Sequence, residues 1–405
     1  MERADPSEVG MNAAQLSRIG EHLRKRYIDV DKIPGSLALV ARKGKVCYFD
    51  VAGMRDVERG APMKEDTIVR IYSMTKPITS IAIMTLFERG LFSLDDPVHR
   101  FIPQWRDLRV RTAGSFPLFE TKACERPMTI RDLLMHTSGL TYDFLRATNI
   151  DYAYRKLQVG NPLPGNTLQG MMDTLAQLPL EFSPGERWNY SVATDVLAYL
   201  VEVISGMSFP DFLNEVIFEP LGMVDTAFNI EEGKVDRFAS CYERNLKKEM
   251  QLNDDGQDSH YRNRTLFSGG GGLVSTASDY LRFCLMLQNG GTLDGHRIIG
   301  SRTLKLMTAN HLPGGVDLTE FATGSFSETS YQGVGFGLGF AQAVDPIANG
   351  SPASRGSFYW GGLASTLFWV DPAEELSVIF MTQLMPSSTF NFRGQLEAMV
   401  YAALE

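Results

Sequence analysis

The stretch Arg70-Ile71-Tyr72-Ser73-Met74-Thr75-Lys76-Pro77 constrains this chain most. Proline inside a helix loses a hydrogen bond and clashes with the preceding turn, but the first turn accepts it. Pro77 therefore marks the start of a helix. Ile78, Ile81, Met84, Leu86 and Phe87 follow mostly at helical spacing, and Gly90 suits the helix end. Ser73 then lies at the N-terminal end, where free N–H groups and the helix dipole favour negative charge. Lys76, three residues on, projects from the same face. A serine beside a lysine in a sheltered site can be activated as a nucleophile. Taken alone, the same pattern describes a serine cap followed by a surface lysine. The rest of the chain has to decide.

The 405 residues suit two domains, or one large domain with an inserted part. A net charge of −9 argues against nucleic acid and against anionic membrane surfaces as partners. Cys47, Cys124, Cys241 and Cys284 are scattered, with no Cys-x-x-Cys pair and no zinc-ligand spacing, so neither metal nor cofactor is expected. No apolar run is long enough to span a bilayer, and the first residues carry no apolar signal core. The expectation is a soluble, cytoplasmic protein.

Residues 11–27 read as an amphipathic helix with Leu16, Ile19, Leu23 and Tyr27 on one face. Strands are expected over residues 36–41, 46–51 and 67–71. The middle of the chain reads as mostly helical with long loops, its clearest helices at residues 193–204 and 209–218. Residues 245–264 are polar and read as a surface loop. The run Ser268-Gly269-Gly270-Gly271-Gly272 suggests close backbone approach. It is no phosphate loop, because no Gly-Lys-Ser/Thr follows. Residues 279–287 read as helix and 311–332 as loop. Strands return at residues 335–340, 357–360, 365–370 and 376–381, before a closing helix over 394–404. The pattern suggests a discontinuous α/β domain, residues 1–90 and 265–405, with a mainly helical domain, 91–264, inserted into it.

A Ser–Lys pair needs a third group to move protons. Tyr190, in Trp188-Asn189-Tyr190-Ser191-Val192 before the helix at 193, is a candidate; it can equally be a half-buried structural tyrosine. The order Ser73-Met74-Thr75-Lys76, His136-Thr137-Ser138-Gly139-Leu140, Tyr190-Ser191, Gly270-Gly271-Gly272-Leu273 and Trp360-Gly361-Gly362 resembles the serine β-lactamase-like superfamily over most of the chain. Closest are the carboxylesterases of class C β-lactamase type, the family VIII esterases. The resemblance implies an α/β fold of the β-lactamase/penicillin-binding-protein kind, an antiparallel sheet flanked by helices. It implies Ser73 as the acylated nucleophile, with Lys76 and Tyr190 sharing general base and acid work. It also implies an oxyanion hole from the backbone N–H groups of Ser73 and Leu363.

Two departures favour esterase over lactamase. Tyr190-Ser191-Val192 stands where β-lactamases carry Tyr-x-Asn, and Trp360-Gly361-Gly362 where they carry a cationic triad. Trp360, Gly361, Gly362, Val192 and Tyr142 are expected to line the pocket, though Tyr142 is as readily core packing. His136 is an alternative base. Gly-x-Ser-x-Gly is absent, which argues against the α/β-hydrolase fold. The expected activity is hydrolysis of short- to medium-chain carboxylic esters. A β-lactamase, D,D-peptidase or acyltransferase on the same fold, or an inactive binding protein, are the competing readings.

Overall fold

The structure is a computed structural model that describes residues 1–324 and 329–405. Its frame is an eight-stranded, wholly antiparallel sheet. In chain order the strands are β1 (Gly35–Arg42), β2 (Lys45–Asp56), β3 (Ala61–Pro62), β4 (Val334–Phe336), β5 (Ala341–Ala343), β6 (Phe358–Gly362), β7 (Thr366–Asp371) and β8 (Leu376–Met381). Across the sheet the order is β4-β5-β6-β7-β8-β1-β2-β3, so the two ends of the chain meet in the middle. Every residue of β6, β7 and β8 is buried. Strands covered on both faces read as near-continuous apolar runs, which is the pattern of Leu376-Ser377-Val378-Ile379-Phe380-Met381.

Helices supply the cover. α1 (Ala13–Leu23) starts at Asn12, whose side chain accepts from the Gln15 backbone N–H at 3.1 Å. α2 (Thr75–Glu88) follows Ser73; twelve consecutive residues, Thr75 to Leu86, are buried, so it is a core helix without a polar face. α3 (Ala193–Ser205) packs on α2. α4 (Ala277–Gln288) lies on the sheet, with the Tyr280 ring tilted against Phe368 of β7 at a centroid distance of 5.1 Å. α5 (Phe392–Tyr401) pairs with α1, where the Tyr27 hydroxyl donates to Gln395 at 2.6 Å.

Three local expectations need correction. Residues 335–340 do not form one strand. They close the turn between β4 and β5, with Gly337 N–H donating to Phe340 C=O at 2.8 Å. A Cβ on Gly337 would stand 2.1 Å from the Met307 carbonyl oxygen, so the glycines answer a close approach, not a pleat. The middle of the chain also holds a hairpin, Arg109–Ser115 with Leu118–Ala123. Its strands are mostly solvated, so the apolar alternation that announces a strand is missing. Finally, residues 245–264 are not all loop. Met250–Asp254 pairs with Cys241–Arg244.

Candidate active site

The approach to Ser73 is anchored deep in the protein. Val69–Arg70 pairs with Val274–Ser275. The fully buried Arg70 guanidinium is 2.6 Å from an Asp254 carboxylate oxygen, donates to the Ala239 carbonyl at 2.5 Å, and lies over the Phe238 ring at 4.1 Å. Tyr72 then takes a φ of 41°, rare for a residue with a side chain. Ser73 sits in a single 3₁₀ turn, Tyr72–Met74, two residues before α2, and Pro77 is the third residue of that helix. The expected placement of Ser73 at a helix entry is what the fold contains.

Lys76 and Tyr190 converge on Ser73. The Tyr190 hydroxyl donates to Ser73 Oγ at 2.6 Å, and Lys76 Nζ donates to the same oxygen at 3.3 Å. The ammonium also donates to Tyr142 Oη at 2.9 Å and to the Gly270 carbonyl at 2.6 Å, and it stands 4.5 Å from the Tyr190 ring centroid. An ammonium has three N–H donors, and here three acceptors meet them. Lys76 is 2 % exposed, Tyr190 1 % and Ser73 8 %, so all three side chains are buried.

Tyr190 is held by its neighbours. Its ring contacts those of His136, Tyr142 and Trp360 at centroid distances of 5.2, 5.2 and 5.6 Å. The backbone N–H of Asn189 donates to the His136 carbonyl at 2.8 Å, and the Asn189 amide donates to Leu140 C=O at 2.9 Å. The turn these bonds tie down needs Gly139: its φ is 83°, and a Cβ would lie 2.3 Å from the Phe182 carbonyl oxygen. His136 itself is buried, and its Nδ1 pairs with Ser191 Oγ at 3.2 Å. Burial, and then the Lys76 charge, hold its imidazole well below the usual range, so it is neutral at neutral pH.

The remaining expected residues fall around this centre. Trp360 is 1 % exposed, and its ring meets those of Tyr190 and Phe336. Val192 is buried at the start of α3, its N–H on the Thr141 carbonyl at 3.2 Å. Gly361 and Gly362 close β6. A Cβ on Gly362 would stand 2.3 Å from the Ile71 carbonyl oxygen, so the end of β6 abuts the backbone that leads into Ser73. Leu363, half-buried, comes next. Tyr142 is half-buried and stacks on Phe144 with ring centroids 4.6 Å apart. Among the described residues no three His, Cys, Asp or Glu side chains cluster to hold a metal ion.

Sequence reasoning missed two partners of Lys76. Tyr142 was legible only as a wall, because its hydroxyl meets a lysine 66 residues away. The Gly270 carbonyl was legible only as close backbone approach. Nothing in the sequence pointed to Asp195, which holds that glycine; an acid inside the apolar stripe Ala193-Thr194-Asp195-Val196-Leu197 was the available signal.

Comparison with known proteins gives the family and the fold. A family model described as Beta-lactamase matches residues 23–401. Esterase EstB of Burkholderia gladioli is 32 % identical over 402 residues, 93 % of each chain. ML-236A carboxylate methylbutanoyltransferase mlcH of Penicillium citrinum is 26 % identical over 398 residues, 94 % of this chain and 92 % of its own. Among solved structures, EstCE1, described as a hydrolase with promiscuous acyltransferase activity, superimposes with a TM-score of 0.79 at 28 % identity, covering 96 % of this chain and 99 % of that one. The chain belongs to the β-lactamase family. It has the β-lactamase/penicillin-binding-protein fold, an antiparallel sheet flanked by helices, and is a hydrolase of that fold with esterase and acyltransferase relatives.

Proposed function

We propose that this protein is a serine carboxylesterase that cleaves short- to medium-chain esters through an acyl-enzyme on Ser73. The observation that carries the reading is the shared Ser73 oxygen, 2.6 Å from the Tyr190 hydroxyl and 3.3 Å from the Lys76 ammonium. Once the Lys76–Tyr190 pair has given up one proton to solvent, Ser73 Oγ attacks the ester carbonyl and the pair takes the serine proton. The negative charge that develops on the carbonyl oxygen is met by the backbone N–H groups of Ser73 and Leu363. The pair returns the proton to the departing alkoxide, and water repeats the sequence on the acyl-enzyme. Each half-reaction leaves the pair as it began, so no cofactor is required.

The neutral Trp360, where a β-lactamase would carry a cation, supports ester over β-lactam. A charge-assisted hydrogen bond is worth about 1.5–3 kcal/mol, roughly ten- to a hundred-fold in binding an anionic substrate. With Trp360 and Val192 both buried and apolar, that attraction is missing at these two positions. The test compares kcat/KM for p-nitrophenyl butyrate and a chromogenic cephalosporin on one preparation. The ester is expected to be the better substrate by at least about ten-fold, and equal efficiency would overturn the assignment.

Acyl transfer is a second reading, favoured by the methylbutanoyltransferase relative and by the stated side activity of EstCE1. It needs only that an alcohol replace water at the acyl-enzyme. Adding a primary alcohol and measuring the ratio of new ester to free acid decides between them. We also propose the division into residues 1–90 with 265–405 and residues 91–264. Under it Ser73, Lys76 and Trp360 come from one part, Tyr142 and Tyr190 from the other, and the site lies across the boundary.

A further inference from the structure

Lys76 is aimed by a backbone carbonyl, and the residue that carries it is held by a buried acid. The Gly270 carbonyl takes the shortest of the three Lys76 hydrogen bonds, 2.6 Å. The N–H of the same residue donates to Asp195 Oδ1 at 3.1 Å, and the Ser268 hydroxyl donates to that oxygen at 2.5 Å. Asp195 lies in the first turn of α3 and is 3 % exposed. The turn 268–270 is thereby clamped between two helices. On the α2 side the Thr79 hydroxyl donates to the Gly269 carbonyl at 2.9 Å. On the α3 side a Cβ on Gly269 would stand 2.7 Å from the Thr194 carbonyl oxygen. Gly270 can carry no side chain either. A Cβ there would lie 2.7 Å from Asp195 Oδ2 and 2.8 Å from Tyr142 Oη, so both oxygens crowd one small volume beside the lysine.

We propose that Asp195 is the positioning residue of the site: by holding the Gly270 N–H it sets the direction of the next carbonyl toward Lys76, and its charge supports the ammonium. The inference rests on the reading of Ser73, Lys76 and Tyr190 as the reacting groups. Asp195 does not touch Ser73; it acts through Gly270 and through its field. Burial raises its carboxyl above the usual carboxylate range, while the Ser268 hydroxyl, the Lys76 charge and the Gly270 N–H pull it back. That pull is mutual, since two charges stabilise each other's ionised forms. Among the described residues, Tyr142, Tyr190 and the neutral His136 are further titratable groups around the ammonium. Among the described groups that bear on the lysine, Asp195 is thus the acidic one.

A purely structural clamp and a charged positioning residue make different predictions. Asp195→Asn keeps an oxygen for Gly270 and Ser268 but removes the charge. The experiment measures the rate of Ser73 labelling by a fluorophosphonate probe across pH, with the modified residue confirmed by peptide mass spectrometry. The ascending limb of the wild-type profile is expected to move about one pH unit lower in Asp195→Asn, the size of shift a nearby counter-charge commands. Ser268→Ala strips one hydrogen bond from the same carboxylate, which favours its neutral form and loosens its hold on Gly270, so the limb should move in the same direction by less. Limbs that coincide with wild type in both variants would overturn the proposal. If Asp195→Asn does not fold, the Ser268→Ala profile decides alone, on the same criterion. Failure of the wild-type Ser73 to label at any pH would instead overturn the assignment of the nucleophile, which separates the two outcomes.

Discussion

At Ser73 two proton-bearing groups meet one oxygen, and the proposed mechanism needs both. The Lys76 ammonium is within reach of the Tyr190 ring face as well as of the serine, and the proposed mechanism has the two act as a unit. Ser73→Ala is expected to lower kcat by at least about 10³-fold while leaving the denaturation midpoint near wild type, because it deletes only a hydroxyl. Lys76→Ala, Tyr190→Phe and the double variant should settle at a similar low rate; losses that multiply would show two independent groups. Tyr142→Phe tests the acceptor that the sequence did not disclose. It removes one hydrogen bond to a charged group, so kcat/KM should fall about ten-fold. An unchanged value would reduce Tyr142 to packing. The Ser73–Lys76 spacing was legible because one helical turn fixes it. Tyr190 was legible from its place in an ordered set of motifs. Tyr142, Gly270 and Asp195 were not, because each meets its partner across more than sixty residues of chain.

The elements show where local pattern suffices and where it fails. α2 and the strands β1, β7 and β8 carry their apolar residues at the expected period, and the fold has them near the expected positions. The hairpin at Arg109–Ser115 and Leu118–Ala123 could not be seen that way. Solvent covers most of both strands, and Leu118 at the turn is 82 % exposed. Met250–Asp254 was hidden for a different reason. Its polar residues suit a loop, yet Asp254 reaches inward to the fully buried Arg70 at 2.6 Å. That pair ties a peripheral strand to the strand just before Ser73. Asp254→Ala leaves a buried guanidinium without its counter-ion and should cost about 3–5 kcal/mol in chemical denaturation. Converting both members, Arg70→Met with Asp254→Leu, should recover part of that loss. A single variant as stable as wild type would mean that Ser259, Gln383 and the Ala239 carbonyl satisfy Arg70 on their own.

Across the whole molecule the sheet order explains why the site is built from both ends of the chain. β1 lies between β8 and β2, so residues before the helical middle are sheeted against residues after it, and Ile71 abuts Gly362. The same compactness buries ionisable groups that take no part in the hydrogen bonds of Ser73, with consequences for stability against pH. Burial pushes the Glu181 carboxyl up to about 7; the Thr148 hydroxyl that donates to it opposes this, Asp151 adds to it, and Arg111 opposes it. The unfolded carboxyl titrates near 4.5. Below that both states hold the proton and Glu181 is neutral to stability. Between 4.5 and 7 the folded state holds a proton that the unfolded state has released, so stability falls as pH rises. Above 7 the loss is complete, about 1–2 kcal/mol once solvent screening of a partly exposed group is allowed for. Glu181→Gln cannot titrate and still offers an oxygen to Thr148. Denaturation midpoints of the two proteins should therefore coincide near pH 4.5, diverge in favour of the variant through pH 7, and run parallel above it. A difference that stays constant over this range would place the carboxyl in ordinary solvent.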